Sequence, residues 1–208
     1  DILSEENNDG IFSDKFLNEF KTIMPNFILF SSFNDIFPNT LALSELDSND
    51  WIKDLSTISD LNKDIIKSDN DQKKREHKTK VNVNFNAEFG RYWVQDLAKL
   101  SIDWDNEKLL FWIEEDGFPY EPEIRSQGKR WYLAFYIKIT ARSNEKTKNV
   151  LLIDEPGLYL HATAQKDVLN KLEKSSENSQ IVFSTHSPYL IEADKLERIR
   201  LVFRDPKS

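Results

Sequence analysis

Apolar and polar residues alternate in blocks along the last third of the chain, and the blocks predict a strand–helix–strand order. An apolar run over residues 150–154 precedes a helical stripe at Ala164 and Val168, and a second apolar run follows over residues 180–184. Apolar runs of this kind are typical of strands buried in a parallel sheet that helices cover. We therefore expect an α/β fold with a mainly parallel sheet, and a further strand over residues 198–204.

The earlier part of the chain mixes helical and strand patterns. Apolar residues three or four positions apart predict helices, and short apolar runs between turn residues predict strands. In chain order we predict a helix ending at Pro25, a strand over 26–31, a helix over 50–65, and a hairpin of strands over 100–104 and 108–114. Residues 130–139 are apolar all round, which fits a buried helix or a buried strand, but their length and the turn before them favour a helix. This region is expected to form a helical insertion with a short hairpin.

The stretch VNVNFNAEF, residues 81–89, fits two periodicities. Alternation of apolar residues with asparagines favours a strand, whereas Val81 and Phe85 begin a helical stripe that continues to Leu97. Because the stripe is longer than the alternation, we predict a helix. The basic run before it, residues 72–80, is expected to be a solvated helix or loop.

The composition narrows the functional classes. The 208 residues are 39% hydrophobic and 31% charged, which is enough for one sizeable core. No apolar run reaches the ~20 residues of a membrane span, and a chain without cysteine holds neither disulfides nor thiolate metal sites. A net charge of −8 argues against non-specific coating of nucleic acid. We expect the protein to reside in the cytoplasm by default. We also expect His77, which lies in the basic run, to be exposed to solvent.

Two adjacent carboxylates end the first apolar run. Asp154 and Glu155 directly follow aliphatic residues and precede a Pro–Gly turn, and His186 follows the second run. Neighbouring carboxylates at the rim of a core repel each other and resist desolvation, so a cation bound to phosphate would stabilise them. Because ligands of open parallel sheets bind beyond the carboxyl ends of the strands, we expect these side chains to converge. The alternative for the acids alone is a strand that ends at a solvated edge.

These segments resemble a known family. IDEPGLYLHATAQ, together with IVFSTHSPYLI, is similar to the ABC-type ATPase heads of AAA-like and OLD (overcoming lysogenization defect) proteins, which are related to structural-maintenance-of-chromosomes ATPases. The resemblance implies ATP and Mg²⁺ as cofactors. It also implies that Asp154 holds Mg²⁺, Glu155 activates the attacking water and His186 contacts the γ-phosphate. Gly157 would lie in the D-loop, which lines the dimer interface.

A third motif, Arg125-Ser126-Gln127-Gly128, precedes the apolar run of a predicted helix. It resembles the degenerate ABC signature of the same branch. A helix N-terminus with a serine hydroxyl and a glycine is suited to binding an anion. The resemblance implies that Arg125, Ser126 and Gly128 grip the γ-phosphate held by a second protomer, so that hydrolysis requires a homodimer. Taken alone, the motif is compatible with a plain capped turn.

One part of the family pattern is absent from the sequence. None of the five glycines has the G-x-x-x-x-G-K-[ST] spacing of the phosphate-binding Walker A loop. We expect that loop in an N-terminal lobe preceding Asp1, which makes this chain the C-terminal part of a three-layer P-loop NTPase-like half-domain. Residues 1–124 would form the insertion region and residues 125–208 the C-terminal lobe. The resemblance also suggests that the chain works with a nuclease, as a further domain or as a separate protein, or with DNA. It suggests no membrane partner.

Two functions remain open, and a third has less support. The first is ATP binding and hydrolysis by a head that switches a dimer in DNA-related or defence processes. The second is a non-catalytic dimerisation or scaffold lobe that has lost its phosphate loop. The third is a metal-dependent nuclease that uses Asp154 and Glu155, but no further acidic cluster is evident on neighbouring strand ends. The acidic run over residues 114–116 is expected to be the exposed end of a hairpin.

We predict that the chain alone neither binds ATP tightly nor hydrolyses it, because a Walker A loop and its lysine cradle the phosphates in this class. Isothermal titration with ATP and Mg²⁺ should show no saturable heat in the micromolar range. Micromolar affinity for the isolated chain would show that it binds ATP without a Walker A loop.

Overall fold

Two β-sheets organise the chain in the computed structural model, which describes residues 14–31, 35–95, 98–143 and 149–204. The elements in these ranges are, in chain order, α1 (Asp14–Ile23), β1 (Asn26–Ser31), β2 (Thr40–Ala42), α2 (Asp50–Ser59), α3 (Lys63–Ile66), α4 (Asp71–Tyr92), β3 (Lys99–Trp104), β4 (Lys108–Glu115), β5 (Phe118–Tyr120), α5 (Gln127–Ser143), β6 (Asn149–Asp154), α6 (Ala162–Ser175) and β7 (Gln180–Phe183). No helix of the described part is both long and apolar enough to cross a bilayer.

The first sheet is parallel and has the strand order β1–β6–β7, so the two motif-bearing strands are neighbours. Ile153 of β6 pairs with both Phe30 of β1 and Phe183 of β7. Helix α5 packs on one face, where Phe30 meets Trp131 and Phe135 edge-on, with ring centroids 5.9 Å apart in each pair. The α/β class and the parallel sheet expected from the sequence are confirmed.

The opposite face of the parallel sheet is apolar and exposed. Leu29, Leu152 and Val182 pair across the three strands and therefore point to the same side. Leu29 is 67% exposed and Val182 is 52% exposed, and Phe27, on the same face of β1, is 62% exposed. The described residues thus leave this face largely uncovered, whereas a three-layer fold has helices on both faces.

The second sheet is antiparallel, with the order β2–β4–β3 and with β5 also paired to β4. The predicted hairpin is present: Leu100 of β3 pairs with Ile113 of β4, and Trp104 pairs with Leu109. Buried side chains of both sheets belong to one hydrophobic core, which α2, α4 and α5 help to enclose. The core therefore continues from the antiparallel sheet to the helix that covers the parallel one.

Helix α4 contains residues 81–89, and its contacts show why that stretch fits two periodicities. The carbonyl of the Asn82 side chain accepts a hydrogen bond from Ile102 N at 2.7 Å, and its amide donates to Ile102 O at 2.9 Å. Asn86 makes the same pair of bonds to Leu100, at 3.0 and 2.7 Å. Two side chains one helical turn apart thus satisfy the outward backbone groups of the edge strand β3. The prediction of a helix is confirmed.

The helix expected over residues 50–65 is divided in two. Asp60, at the end of α2, adopts a left-handed conformation with a φ of 61°, and the side chain of Asn62 then caps α3. Asn62 N donates to His77 Nε2 at 2.9 Å. His77 is therefore buried, and the expectation that it is solvated was wrong. Burial lowers the pKa of His77, which favours the neutral imidazole that this acceptor role requires.

No strand forms over residues 198–204, contrary to expectation. The chain makes one 3₁₀ turn at Leu196–Arg198 and then continues without regular structure, with Leu201, Val202 and Phe203 exposed. An apolar run becomes a strand only where a sheet edge satisfies its backbone groups. No described sheet edge pairs with this segment.

We predict that Asn82→Ala destabilises the protein by about 1–3 kcal/mol, because the N–H and C=O groups of Ile102 both lose a partner. Urea-induced unfolding followed by circular dichroism measures the change. Asn84→Ala is the matched control: Asn84 lies on the same helix, but its amide donates to the exposed Asp60. Asn84→Ala should lower the free energy of unfolding much less than Asn82→Ala does. Equal effects of the two substitutions would contradict the role of Asn82 at the edge of β3.

Candidate functional site

The tips of β6 and β7 lie side by side and share a hydrogen-bond network. Sheet pairing continues one residue beyond β7, where Ser184 N donates to Ile153 O at 3.0 Å. Ser184 Oγ donates to Asp154 Oδ1 at 2.7 Å and accepts from Glu155 N at 3.1 Å. One hydroxyl therefore positions the side chain of Asp154 and the backbone of Glu155 together.

Glu155 and His186 form a second contact between the tips. His186 N donates to Glu155 Oε2, and His186 Nε2 lies beside Glu155 Oε1, both at 3.3 Å. The carboxylate side chain is 18% exposed, whereas the imidazole is 97% exposed. Glu155 has a left-handed backbone with a φ of 49°, a conformation that costs of order 1–3 kcal/mol in residues other than glycine. Such strain persists only where the surroundings hold it, and here Ser184 and His186 do so.

The donor set at Asp154 suits a magnesium ion that is bound mainly by phosphate and water. In nucleotide sites Mg²⁺ takes one or two protein carboxylates and completes its octahedron with water and phosphate oxygens. Within the described ranges, no group of three or more histidine, aspartate or glutamate side chains gathers into a metal-binding cluster. Asp154 and Glu155 are thus the two carboxylates that the tip of β6 offers to a cation.

Gln165, on α6, joins the loop after β6 to the loop after β7. Its Nε2 donates to Gly157 O at 3.1 Å and to Leu160 O at 3.0 Å, and its Oε1 accepts from the Ser187 hydroxyl. The side chain is buried, so these bonds are its main partners. Neither Gln165 nor Ser184 stands out as a site residue in the sequence. The sequence signal that could have indicated Gln165 is its position next to Ala164, in the apolar stripe of a predicted helix.

Two glycines are required by the shape of these loops. Gly157 has a φ of 75°, in the region that favours glycine. Gly128 comes so close to the loop after β6 that an added Cβ would lie 2.7 Å from Tyr159 O. Ser126 and Gly128 line a cavity of about 220 Å³ together with His161. Ser126 and Gly128 thus lie against residues 159–161, in the loop after β6 of the same chain.

Arg125 is engaged at the end of the antiparallel sheet. Its Nε donates to Glu115 Oε1 at 3.1 Å, a second guanidinium N–H donates to Glu115 Oε2, and Lys129 also pairs with this carboxylate. The guanidinium carbon lies 4.4 Å from the centroid of the Tyr120 ring. Glu115 is largely buried by these contacts, so the expectation that residues 114–116 form an exposed hairpin end was wrong for Glu115. A phosphate contact of Arg125 would have to open one of these pairings.

Comparison with known proteins identifies relatives of this chain. The AAA ATPase domain family matches residues 30–191, well over half of the chain. An uncharacterized protein of Methanocaldococcus jannaschii is 32% identical over 136 residues, which cover 61% of this chain and 35% of that protein. The probable ATPase of retron Vc95 from Vibrio cholerae is 26% identical over 199 residues, 83% of this chain and 38% of that protein. The chain thus spans little more than a third of the length of these relatives.

A further relative and a solved structure extend this comparison. The OLD nuclease of Thermus scotoductus is 37% identical over 57 residues, which are 26% of this chain and 11% of that protein. A solved structure described as the SmcHead bound to the C-winged helix domain of ScpA has a TM-score of 0.45 and 19% identity, over 60% of this chain and 40% of that chain. The resemblance to AAA-like ATPases that the motifs indicated is confirmed. With a family match that includes both strand tips and the loops between them, the chain belongs to the AAA ATPase domain family.

Proposed function

We propose that this chain supplies the hydrolytic half of an ATP site, with Asp154, Glu155 and His186 at its centre. The observation that carries the proposal is the network at the two strand tips, in which Ser184 links both acids and His186 contacts Glu155. In open parallel sheets, ligands bind beyond the carboxyl ends of the strands. Membership of the AAA ATPase domain family supports nucleotide hydrolysis as the reaction.

The two acids have separate tasks because they face different partners. Asp154, oriented by Ser184 Oγ, would hold the Mg²⁺ of the nucleotide. When bound, that ion neutralises charge on the phosphate oxygens. The left-handed turn at Glu155 directs its carboxylate towards His186, and from there it would accept the proton of the attacking water.

His186 is placed to respond to the terminal phosphate. Its imidazole is almost fully exposed, while Nε2 contacts the carboxylate of Glu155. Rotation of this side chain would exchange the Glu155 contact for a γ-phosphate oxygen. Nucleotide binding would then leave the carboxylate of Glu155 to the water molecule, so that the base becomes active only when the phosphate is in place.

The exposed face of the parallel sheet supports a separate phosphate-binding lobe. Leu29 pairs with Leu152, and two residues further on Ser31 pairs with Asp154, so the apolar face leads directly to the carboxylate. A Walker A lobe packed on Leu29 and Val182 would bring its loop beside Asp154. Because the sequence contains no such loop, we propose that protein outside these 208 residues provides it.

A second copy of the chain would complete the site. Ser126 and Gly128, at the start of α5 in that copy, would offer a helix N-terminus to the γ-phosphate. Gln165 binds two carbonyls of the candidate D-loop and also binds Ser187, next to His186. It would therefore transmit the state of the dimer interface to the histidine.

Two of the relatives suggest the kind of process in which this protein acts. One is a probable ATPase of a retron and another is an OLD nuclease. We propose that hydrolysis switches a homodimer that acts on DNA or on an associated nuclease. A net charge of −8 confines any DNA contact to a local surface.

A non-catalytic dimerisation or scaffold lobe is the second candidate. The absence of the G-x-x-x-x-G-K-[ST] motif and the exposed apolar sheet face favour it. A scaffold, however, needs neither a strained Glu155 nor an exposed His186 in contact with it. The geometry of the tips therefore favours hydrolysis, and the two candidates differ in whether Glu155 matters for turnover.

In the protein that includes its phosphate-binding loop, Glu155→Gln should lower ATP turnover by about 10²–10⁴-fold, because an amide cannot take the proton of the attacking water. ATP should still bind. Phosphate-release kinetics measure turnover, and titration calorimetry measures affinity. Glu76→Gln, on the exposed part of α4, is the control and should retain turnover. Turnover of Glu155→Gln within a few-fold of wild type would show that Glu155 is not the base.

Gln165→Met, which nearly preserves side-chain size, should increase backbone hydrogen exchange in the loops after β6 and β7. The carbonyls of Gly157 and Leu160 lose their donor, so both loops open more often. Hydrogen exchange followed by mass spectrometry measures this, with Gln72→Met on the exposed surface of α4 as the control. Unchanged exchange in the two loops would rule out the coupling assigned to Gln165.

A further inference from the structure

A second cavity lies between α4, α5 and α6, and none of the strand-tip residues lines it. Its volume is about 200 Å³, well above the ~10–15 Å³ that a single water molecule needs. Aromatic rings of Phe85, Tyr92 and Tyr136 form part of its wall, and Lys171 and Ser175 of α6 form another part. The proposed ATPase mechanism uses none of these residues.

Lys171 brings a buried positive charge to this cavity. The residue is 5% exposed, and its Nζ lies 4.5 Å from the centroid of the Tyr92 ring and 4.9 Å from that of Tyr136. Burial lowers the pKa of Lys171 to about 8, so the ammonium is still mostly protonated at neutral pH. The two ring faces attract the cation, yet they do not neutralise its charge.

The charged groups around Lys171 are engaged with other partners. Glu88 is the acid that acts on Lys171 through space, but it accepts a hydrogen bond from Arg91 at 2.7 Å. Lys174, which also lines the cavity, pairs with Glu177 at 2.7 Å. Throughout the described ranges, no carboxylate forms an ion pair with Lys171. Glu88 also lines the cavity, but it acts on Lys171 only through space, so the buried ammonium has no direct counter-ion. Such a charge is costly to bury, and an anion from outside the chain would stabilise this site.

Ser175 adds a buried hydroxyl that has no partner. The residue is 3% exposed, and its Oγ makes no hydrogen bond within the described part of the chain. It lies four positions after Lys171 on α6, so the two side chains are neighbours on the same helix face. Buried hydroxyls are normally hydrogen-bonded, and an acceptor inside the cavity would satisfy this one.

We propose that this cavity binds a small oxyanion, a carboxylate or a phosphate, between Lys171 and Ser175. The ammonium of Lys171 supplies the counter-charge, and the hydroxyl of Ser175 donates a hydrogen bond to one oxygen. The rings of Phe85, Tyr92 and Tyr136 limit the size of the ligand and would pack against the short apolar body of an organic acid. The site is independent of the ATP site and would stand if that assignment failed.

Titration calorimetry of the full chain with sodium acetate and with inorganic phosphate tests this site, with chloride holding the ionic strength constant. We expect saturable binding of at least one anion, weakened by about tenfold or more in Lys171→Met, which keeps the side-chain length and removes the charge. Lys166→Met is the matched control, because Lys166 lies on the same helix but is exposed and does not line the cavity. It should retain wild-type affinity. Binding of acetate alone assigns a carboxylate ligand, and binding of phosphate alone assigns a phosphate.

Two results would overturn the assignment. Unchanged affinity in Lys171→Met would place the anion elsewhere, and no saturable binding of either anion would leave a cavity that holds only water. Should circular dichroism show that Lys171→Met does not fold, Ser175→Ala takes its place, since it removes only one hydroxyl. A loss of several-fold in affinity supports the site, and an unchanged affinity in Ser175→Ala rejects it.

Discussion

A single hydroxyl, Ser184 Oγ, determines how the two strand tips are arranged. It donates to the carboxylate of Asp154 and accepts from the backbone of Glu155, so both acids depend on a residue of the neighbouring strand. The parallel pairing of β6 with β7 brings this hydroxyl into place, and a hydrogen bond to a charged carboxylate is stronger than one between neutral groups. Without that pairing, Asp154 would lose its hydroxyl donor, Glu155 N would lose its hydroxyl acceptor, and His186 would lose its contact with Glu155.

The sequence indicated those parts of the site that depend on local patterns. Apolar runs before Asp154 and before His186 predict strands, and parallel strands place their carboxyl ends at one edge. Gln165 was missed because its role depends on two loops that are distant from each other along the chain. Asn82 produced strand-like alternation inside a helix, because it serves the backbone of a neighbouring sheet. A pattern of apolar residues indicates which side chains are buried. It does not indicate which backbone groups the polar side chains between them satisfy.

Two of the wrong expectations share one physical cause. Residues 198–204 have the composition of a strand but pair with no described sheet edge. The left-handed turn at Asp60 interrupts a stripe whose spacing alone is continuous, and His77 is buried because the backbone of Asn62 requires an acceptor. For His77 and for residues 198–204, a hydrogen-bond partner outside the local segment is present in the first case and absent in the second. Periodicity cannot contain that information, since it describes only one segment at a time.

The asparagine-capped edge of β3 also limits how this protein can be extended. The outward backbone groups of Leu100 and Ile102 are occupied by Asn86 and Asn82, so a strand from another chain finds no unpaired ladder there. The parallel sheet, by contrast, presents the apolar face that includes Leu29. Strand addition at β3 is therefore blocked, whereas the apolar face of the parallel sheet leads to the acidic tip at Asp154. Any protein surface recruited to cover this face arrives next to Asp154, so under the proposed ATP site the covering layer and the nucleotide would meet at the same edge.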